Sequence, residues 1–155
     1  MKQYIQPFIK VCENVFKEFL GQKLVVRVPY FMEKNELTEW DISAVIGLTG
    51  EARGAVVISM KNDLAVKLTG ILTNKSHEVE HDEVIDAVGE IVNIISGNVK
   101  GELEETFRLT ISLPTIVTGK KHSIAWPDGL ARVICIPFTI FEDDNFVLSV
   151  ALEAV

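Results

Sequence analysis

Glu90 and Asn93 stand three residues apart in the segment from Asp82 to Gly97, which reads as a helix. On a helix, positions three apart are surface neighbours, so an acid and a carboxamide at this spacing lie side by side. A carboxylate can hold a cation. A carboxamide both accepts and donates hydrogen bonds, so it can hold a water. Such a pair can reach into the active site of another protein as one unit.

Other residues compete for attention. His77-Glu78-Val79-Glu80-His81 matches the His-Glu-x-x-His pattern, in which two histidines one helical turn apart can share a zinc. The segment lies at the start of the long helix, beside a polar break, and Glu80 puts a charge at an interior position that is usually uncharged. Only His122 remains as a further histidine, in a polar stretch, and the chain is small for a protease with a substrate cleft. The plainer reading is a charged helix N-terminus, where Glu78, Glu80, Asp82 and Glu83 favour the helix dipole. No metal site is expected. Ser43, Ser59 and Ser96 have no nucleophile elbow or paired base in the sequence. Trp40 and Trp126 border strand-like segments and read as packing residues. Cys12 and Cys135 fall in apolar patterns and read as buried reduced thiols. Lys120-Lys121-His122 reads as a solvated loop, too short for a nucleic-acid patch.

The elements that must position these residues follow from hydrophobic periodicity. From about Gln3 to Leu20, Ile5, Phe8, Ile9, Cys12, Val15, Phe16, Phe19 and Leu20 recur at helical spacing, and Gly21 is a helix stop. Leu24 to Val28 is a short β-branched run ended by Pro29. Trp40 to Leu48 and Gly54 to Met60 read as a hairpin about a turn at Thr49-Gly50-Glu51-Ala52-Arg53. Asn62 or Asp63 caps a short helix that runs through Leu72, and Thr73-Asn74-Lys75-Ser76 is a polar break. A long helix is expected from about His81 to Leu103. Its apolar arc holds Val84, Ile85, Val88, Ile91, Val92, Ile95, Val99 and Leu103, and its opposite arc holds Glu83, Asp86, Glu90, Asn93, Gly97 and Glu104. Three strand-like runs follow, Arg108 to Val117, Ala131 to Phe141 and Phe146 to Leu152, with turns at Pro127-Asp128-Gly129 and Asp143-Asp144-Asn145. That order predicts an α/β chain of α+β type, a sandwich whose mostly antiparallel sheet is covered by helices. With 155 residues, a single domain spanning 1–155 is expected.

Asn93 and Gly97 are both poor helix formers, the glycine by about 1 kcal/mol relative to alanine. Gly97 also removes bulk beside Asn93, so another surface could approach closely. One reading is a docking strip with Asn93 as its probe; the other is an ordinary solvated helix face.

Hydrophobic residues make up 48% of the chain and charged residues 24%. That is a globular rather than a disordered profile. A formal charge of −7 with no basic cluster argues against nucleic-acid binding. No apolar run approaches the roughly 20 residues that span a bilayer. Met1 to Pro7 has no signal-peptide core. A cytoplasmic location is therefore expected, without membrane attachment.

Gly89-Glu90-Ile91-Val92-Asn93-Ile94-Ile95-Ser96-Gly97 resembles the signature of the CheX/CheC/FliY group of chemotaxis phosphatases, whose hallmark is Glu-x-x-Asn on a helix. Val45-Ile46-Gly47-Leu48-Thr49-Gly50 with Gly54 resembles that family's first hairpin, and Pro114-Thr115-Ile116-Val117-Thr118-Gly119 resembles its strand after the long helix. No second Glu-x-x-Asn appears in the other helices, which is closer to CheX than to CheC. The resemblance implies a CheC-like fold and a phosphatase that acts on the phosphoaspartate of a CheY-like response regulator. Asn93 would orient the attacking water, Glu90 would pair with the regulator's active-site lysine, and Glu83, Asp86 and Gly97 would meet the partner. It implies no cofactor on this chain, with Mg²⁺ on the regulator, and a homodimer paired through sheet edges. A CheX-like module that binds the regulator without catalysis is the alternative.

Overall fold

The computed structural model describes residues 2–33, 39–75, 78–126 and 132–155, with side chains from residue 5 onward. Helix α1 (Lys2–Leu20) buries Phe8, Cys12, Val15, Phe16 and Leu20. It ends where expected. Gly21 takes a positive φ of 64°, Gly21 N–H bonds to Lys17 O, and Gln22 N–H reaches back to Phe16 O at 3.0 Å. These bonds occupy carbonyls that a helix end leaves open. Phe19 departs from its expected place, because it lies beyond the edge of the buried stripe and is 51% exposed.

The strands are β1 (Val25–Val26), β2 (Tyr30–Phe31), β3 (Trp40–Gly50), β4 (Ala52–Met60), β5 (Leu109–Ile111), β6 (Thr115–His122), β7 (Ile134–Ile140) and β8 (Asp144–Ala154). They form one sheet in the order β1-β7-β8-β4-β3-β5, with β2 also on β7 and β6 also on β3, and the pairings are antiparallel. Period-two alternation sends Ile42, Ala44 and Ile46 of β3, Ile58 and Met60 of β4, Phe146 and Leu148 of β8, and Ile136 and Phe138 of β7 into one core. Helices α1, α2 (Asn62–Leu72) and α3 (His81–Leu103) contribute to that same core. Phe146 stacks between Phe16 of α1 and Phe138 of β7, with ring centroids 5.0 and 5.1 Å apart. The other face of the sheet carries Ser43, Ser59, Cys135 and Ser149.

Several boundaries differ from the sequence expectation. The N-cap of α2 is Lys61 rather than Asn62 or Asp63, and its side chain makes no cap hydrogen bond. The first hairpin is tighter, because β3 runs through Gly50 and only Glu51 separates it from β4. Gly50 has φ 124°, and a Cβ there would lie 2.3 Å from Arg108 O, so the turn requires glycine. The run from Arg108 to Val117 is two strands, not one. Both lie on β3, but the chain breaks at 112–114, where Pro114 has no N–H to give to a ladder. Lys120, Lys121 and His122 belong to β6 rather than to a loop. The last turn spans 141–143, with positive φ at Phe141 and Glu142 (54° and 77°), so only Asp143 of the expected turn lies in it, and Asp144 and Asn145 are already in β8. Phe141 and Glu142, which carry the positive φ, are not residue types that normally announce a turn. The expected turn at 127–129 and residue Ala131 lie outside the described residues.

Candidate functional site

Helix α3 spans His81–Leu103, as the periodicity predicts. Its start is fixed by a capping box. The Glu80 side chain accepts from the Glu83 backbone, and the Glu83 side chain accepts from Glu80 N–H at 3.2 Å. Val84, Val88, Ile91, Val92, Ile95, Val99 and Leu103 are buried toward the sheet and α1. Glu90, Asp86 and Gly97 are exposed on the opposite side, and Asn93 is half-buried at its margin. Ile85, expected in the core, is only half-buried.

The Glu90 carboxylate and the Asn93 carboxamide make no hydrogen bond or ion pair within the described residues. Both therefore keep their full bonding capacity for something outside the chain. A Cβ added at Gly97 would meet nothing within 4 Å, so no packing inside the chain explains that glycine. Gly89 differs, since a Cβ there would touch Ile116 Cδ1 at 3.5 Å and Pro114 Cγ at 3.6 Å; this is where α3 leans on β6. Alongside Glu90 runs a shallow groove of about 310 Å³, walled by Leu72 and Thr73 from the end of α2 and by Glu83, Asp86, Ala87 and Glu90 from α3. Glu83 is less available than its position on the helix suggests. Besides closing the capping box, it pairs with Lys75 Nζ at 2.5 Å. Thr73 donates its hydroxyl to Thr69 O, so the groove's polar supply comes from the three acids.

The histidine pattern at 77–81 does not lie on a helix where it can be followed. His81 is the first residue of α3, Glu78, Val79 and Glu80 precede the helix, and His77 lies outside the described residues. Among the described residues, no cluster of three or more His, Cys, Asp or Glu could hold a metal ion. No described helix is long and apolar enough to cross a membrane.

One constellation was not visible in the sequence. His122 Nε2 lies 2.7 Å from Ser43 Oγ, Ser43 Oγ lies 2.7 Å from Ser59 Oγ, and His122 Nδ1 lies 2.8 Å from Gly119 O. Ser43, Ser59 and His122 border a cavity of about 330 Å³ behind the sheet, with Trp40 and Trp126 in its wall. Ser43 is 79 residues from His122, so only strand pairing brings them together. The arrangement has the connectivity of a nucleophile and base, but Ser43 is fully buried, with its hydroxyl held on two sides. A nucleophile must reach its substrate, so this network anchors β6 to the sheet.

An antiparallel sheet with helices on one face, and a longest described helix that carries an acid on its outward side and an amide at the margin, neither with a partner among the described residues, defines a protein of the CheC-like fold. The model of a family described as "Chemotaxis phosphatase CheX" matches residues 42–139, and the chain belongs to that family. The CheY-P phosphatase CheX of Thermotoga maritima is 25% identical over 112 residues, covering 71% of this chain and 70% of its own. The crystal structure of the chemotaxis protein CheX from Vibrio vulnificus matches with a TM-score of 0.87 and 28% identity, over 97% of this chain and 99% of that one. The CheX–CheY–BeF3–Mg²⁺ complex from Borrelia burgdorferi matches with a TM-score of 0.79 and 22% identity, over 97% of both chains.

Proposed function

We propose that this protein, acting as one domain over residues 1–155, accelerates dephosphorylation of the phosphoaspartate of a CheY-like response regulator. The observation that carries the reading is the free bonding capacity, among the described residues, of Glu90 on the outer side and Asn93 at the margin of a helix whose inner side is sealed by the core. The curated relative named CheY-P phosphatase CheX supports the substrate class, and the CheX–CheY complex pairs a protein of this fold with such a regulator.

An acyl phosphate on the regulator already has a Mg²⁺ and a lysine beside it. What remains is to hold a water in line behind phosphorus. Asn93 accepts one hydrogen bond from that water through its carbonyl oxygen and donates another through its amide nitrogen. The water oxygen bonds to phosphorus as the bond from phosphorus to the aspartyl oxygen breaks. The products are inorganic phosphate and a free aspartate. Glu90 pairs with the regulator's lysine and sets the register of Asn93 against phosphorus. Asp86 and Glu83 extend the acidic groove, with Glu83 acting through its field because Lys75 already holds it. Gly97 lets the regulator's surface come close. A cytoplasmic location goes with that partner, and so does pairing of two copies through a sheet edge, for which the β1/β2 end of the sheet lies away from the Glu90/Asn93 face and its β5–β6 flank.

The test follows decay of a phosphorylated CheY-like regulator with wild type, Asn93→Ala and Glu90→Gln. Asn93→Ala is expected to bind the regulator but leave its decay at the rate of the regulator alone. Glu90→Gln is expected to raise KM. An Asn93→Ala protein that binds and dephosphorylates like wild type overturns the reading. A wild-type protein that binds without speeding decay leaves a non-catalytic regulator-binding module.

A further inference from the structure

The Glu90/Asn93 face has two flanks. One is the acidic groove shared with α2. The other is the short link between β5 and β6, residues Ser112, Leu113 and Pro114. Pro114 packs against α3 at Gly89, the residue before Glu90. Gly89 is about one helical turn before Asn93, so the link meets α3 about one turn from the amide's residue. Leu113 is 84% exposed.

A single exposed leucine is ordinary. This one is distinguished by how firmly it is held. Ser112 N–H donates to Gly47 O at 3.0 Å, and Gly47 N–H donates back to Ser112 Oγ at 2.8 Å. The Ser112 hydroxyl then donates to Leu113 O at 3.0 Å. On the far side Pro114 fixes its own φ and rests on α3. An apolar side chain is thus presented to solvent from a backbone clamped at both ends, so little conformational freedom remains to be lost when something covers it. Folding gains nothing from exposing it.

We propose that Leu113 is an apolar anchor for the response regulator, seated beside the phosphoryl site and setting affinity rather than rate. The inference rests on the phosphatase reading above, since it takes the same partner on the same face. Continuity with the Glu90/Asn93 strip selects the occupant. A regulator whose phosphoaspartate reaches Asn93 must lay the surface around that site over the adjoining link. The contact forms with regulator bound whether or not the water is in place, so it contributes equally to the ground and transition states. Leu113 is therefore a positioning and specificity-determining residue, not a catalytic one.

The experiment measures KM and kcat for dephosphorylation of a CheY-like regulator by wild type, Leu113→Ser, Leu113→Asp and Asn93→Ala. Affinity for the same regulator carrying beryllofluoride and Mg²⁺ is measured in parallel. Leu113→Ser is expected to raise KM and Kd about ten-fold or more, as loss of a leucine contact does, with kcat unchanged. Leu113→Asp is expected to weaken binding further. Light scattering should give every variant the wild-type oligomeric state. Binding within about two-fold of wild type for both Leu113 variants overturns the proposal, as does a changed oligomeric state, which would assign Leu113 to a contact between copies. Either failure leaves the phosphatase reading intact so long as Asn93→Ala loses kcat. If Asn93→Ala keeps wild-type kcat, the phosphatase reading itself falls.

Discussion

Gly97 separates stability from function more sharply than any other residue on α3. In a helix interior glycine costs about 1 kcal/mol relative to alanine, because it fixes more backbone freedom. A Cβ at 97 would meet nothing within 4 Å, so alanine adds no clash and regains nearly the whole of that difference. For a chain of this size about 1 kcal/mol raises Tm by about 2–4 °C. The same methyl stands on the face proposed to meet the regulator. Gly97→Ala should therefore melt about 2–4 °C higher while its kcat/KM falls several-fold. Gly97→Gln, which adds a long side chain at the same point, should lose more activity and keep part of the thermal gain. Circular dichroism melts and regulator dephosphorylation, run on the same samples, supply both readings. A Gly97→Gln protein with wild-type kcat/KM would show that nothing docks there. A Gly97→Ala protein that melts lower would show that the space beside Gly97 is not open.

Three further outcomes follow from the interior. Ser96 Oγ is buried without a hydrogen-bond partner among the described residues. Ser96→Ala should therefore raise stability by about 1 kcal/mol in urea titration, and a loss of that size would reveal a bond to the hydroxyl. Phe146→Ala removes a ring stacked on both Phe16 and Phe138. It should cost about 3–5 kcal/mol, against a typical total of about 5–15 kcal/mol, with Phe146→Leu costing clearly less. Burial, with the Glu13 charge adding to it, pushes the Cys12 thiol far above its ordinary range. The folded chain therefore keeps a proton that the unfolded chain releases above about pH 8.5, so this contribution is complete below that pH and declines as pH rises toward the folded value. Wild type should lose stability with pH above about 8.5 more steeply than Cys12→Val, by at most about 1.4 kcal/mol per pH unit, and equal slopes would refute the assignment.

The helices and their faces were legible because a 3.6-residue period needs only local sequence. The α3 helix, from His81 to Leu103, follows from the spacing of its apolar residues, and with it the outward position of Glu90 and Gly97. Features that depend on strands meeting at a distance were not legible. The break between β5 and β6 depends on both strands sharing β3, and the link from Ser43 to His122 depends on the register of β6 on β3. The turn at Phe141 and Glu142 was hidden for a different reason. The local sequence Asp143-Asp144-Asn145 is the better turn former, but β8 pairs with β7 through Asn145 and Asp144, so ladder hydrogen bonds outweighed local preference. The Glu83–Lys75 pair was hidden because the side chains are eight residues apart and Lys75 lies outside the helix that carries Glu83.

The placement of the candidate site in the middle of α3 has its own logic. A water held behind phosphorus must be placed to within a fraction of an ångström, and a misplacement of about 1 Å can cost two orders of magnitude in rate. A loop would have to lose its freedom on every encounter, whereas a helix is already ordered. That order must come from somewhere other than the outer face, because Asn93 and Gly97 together weaken the helix by roughly 1 kcal/mol or more. It comes from the inner face. Ile91 is 2% exposed, and Val92 and Ile95 are fully buried. Each such side chain contributes about 1.5–3 kcal/mol on burial. These three lie within two residues of Glu90, Asn93 or Gly97 in the chain, so the residues that fix the helix are close chain neighbours of those proposed to face the partner. The Glu-x-x-Asn spacing thus works as a rigid ruler whose accuracy is set by the core beneath it. A cavity made there, as in Ile95→Ala, should lower kcat for regulator dephosphorylation even at temperatures where the protein remains folded, although Ile95 touches neither water nor regulator.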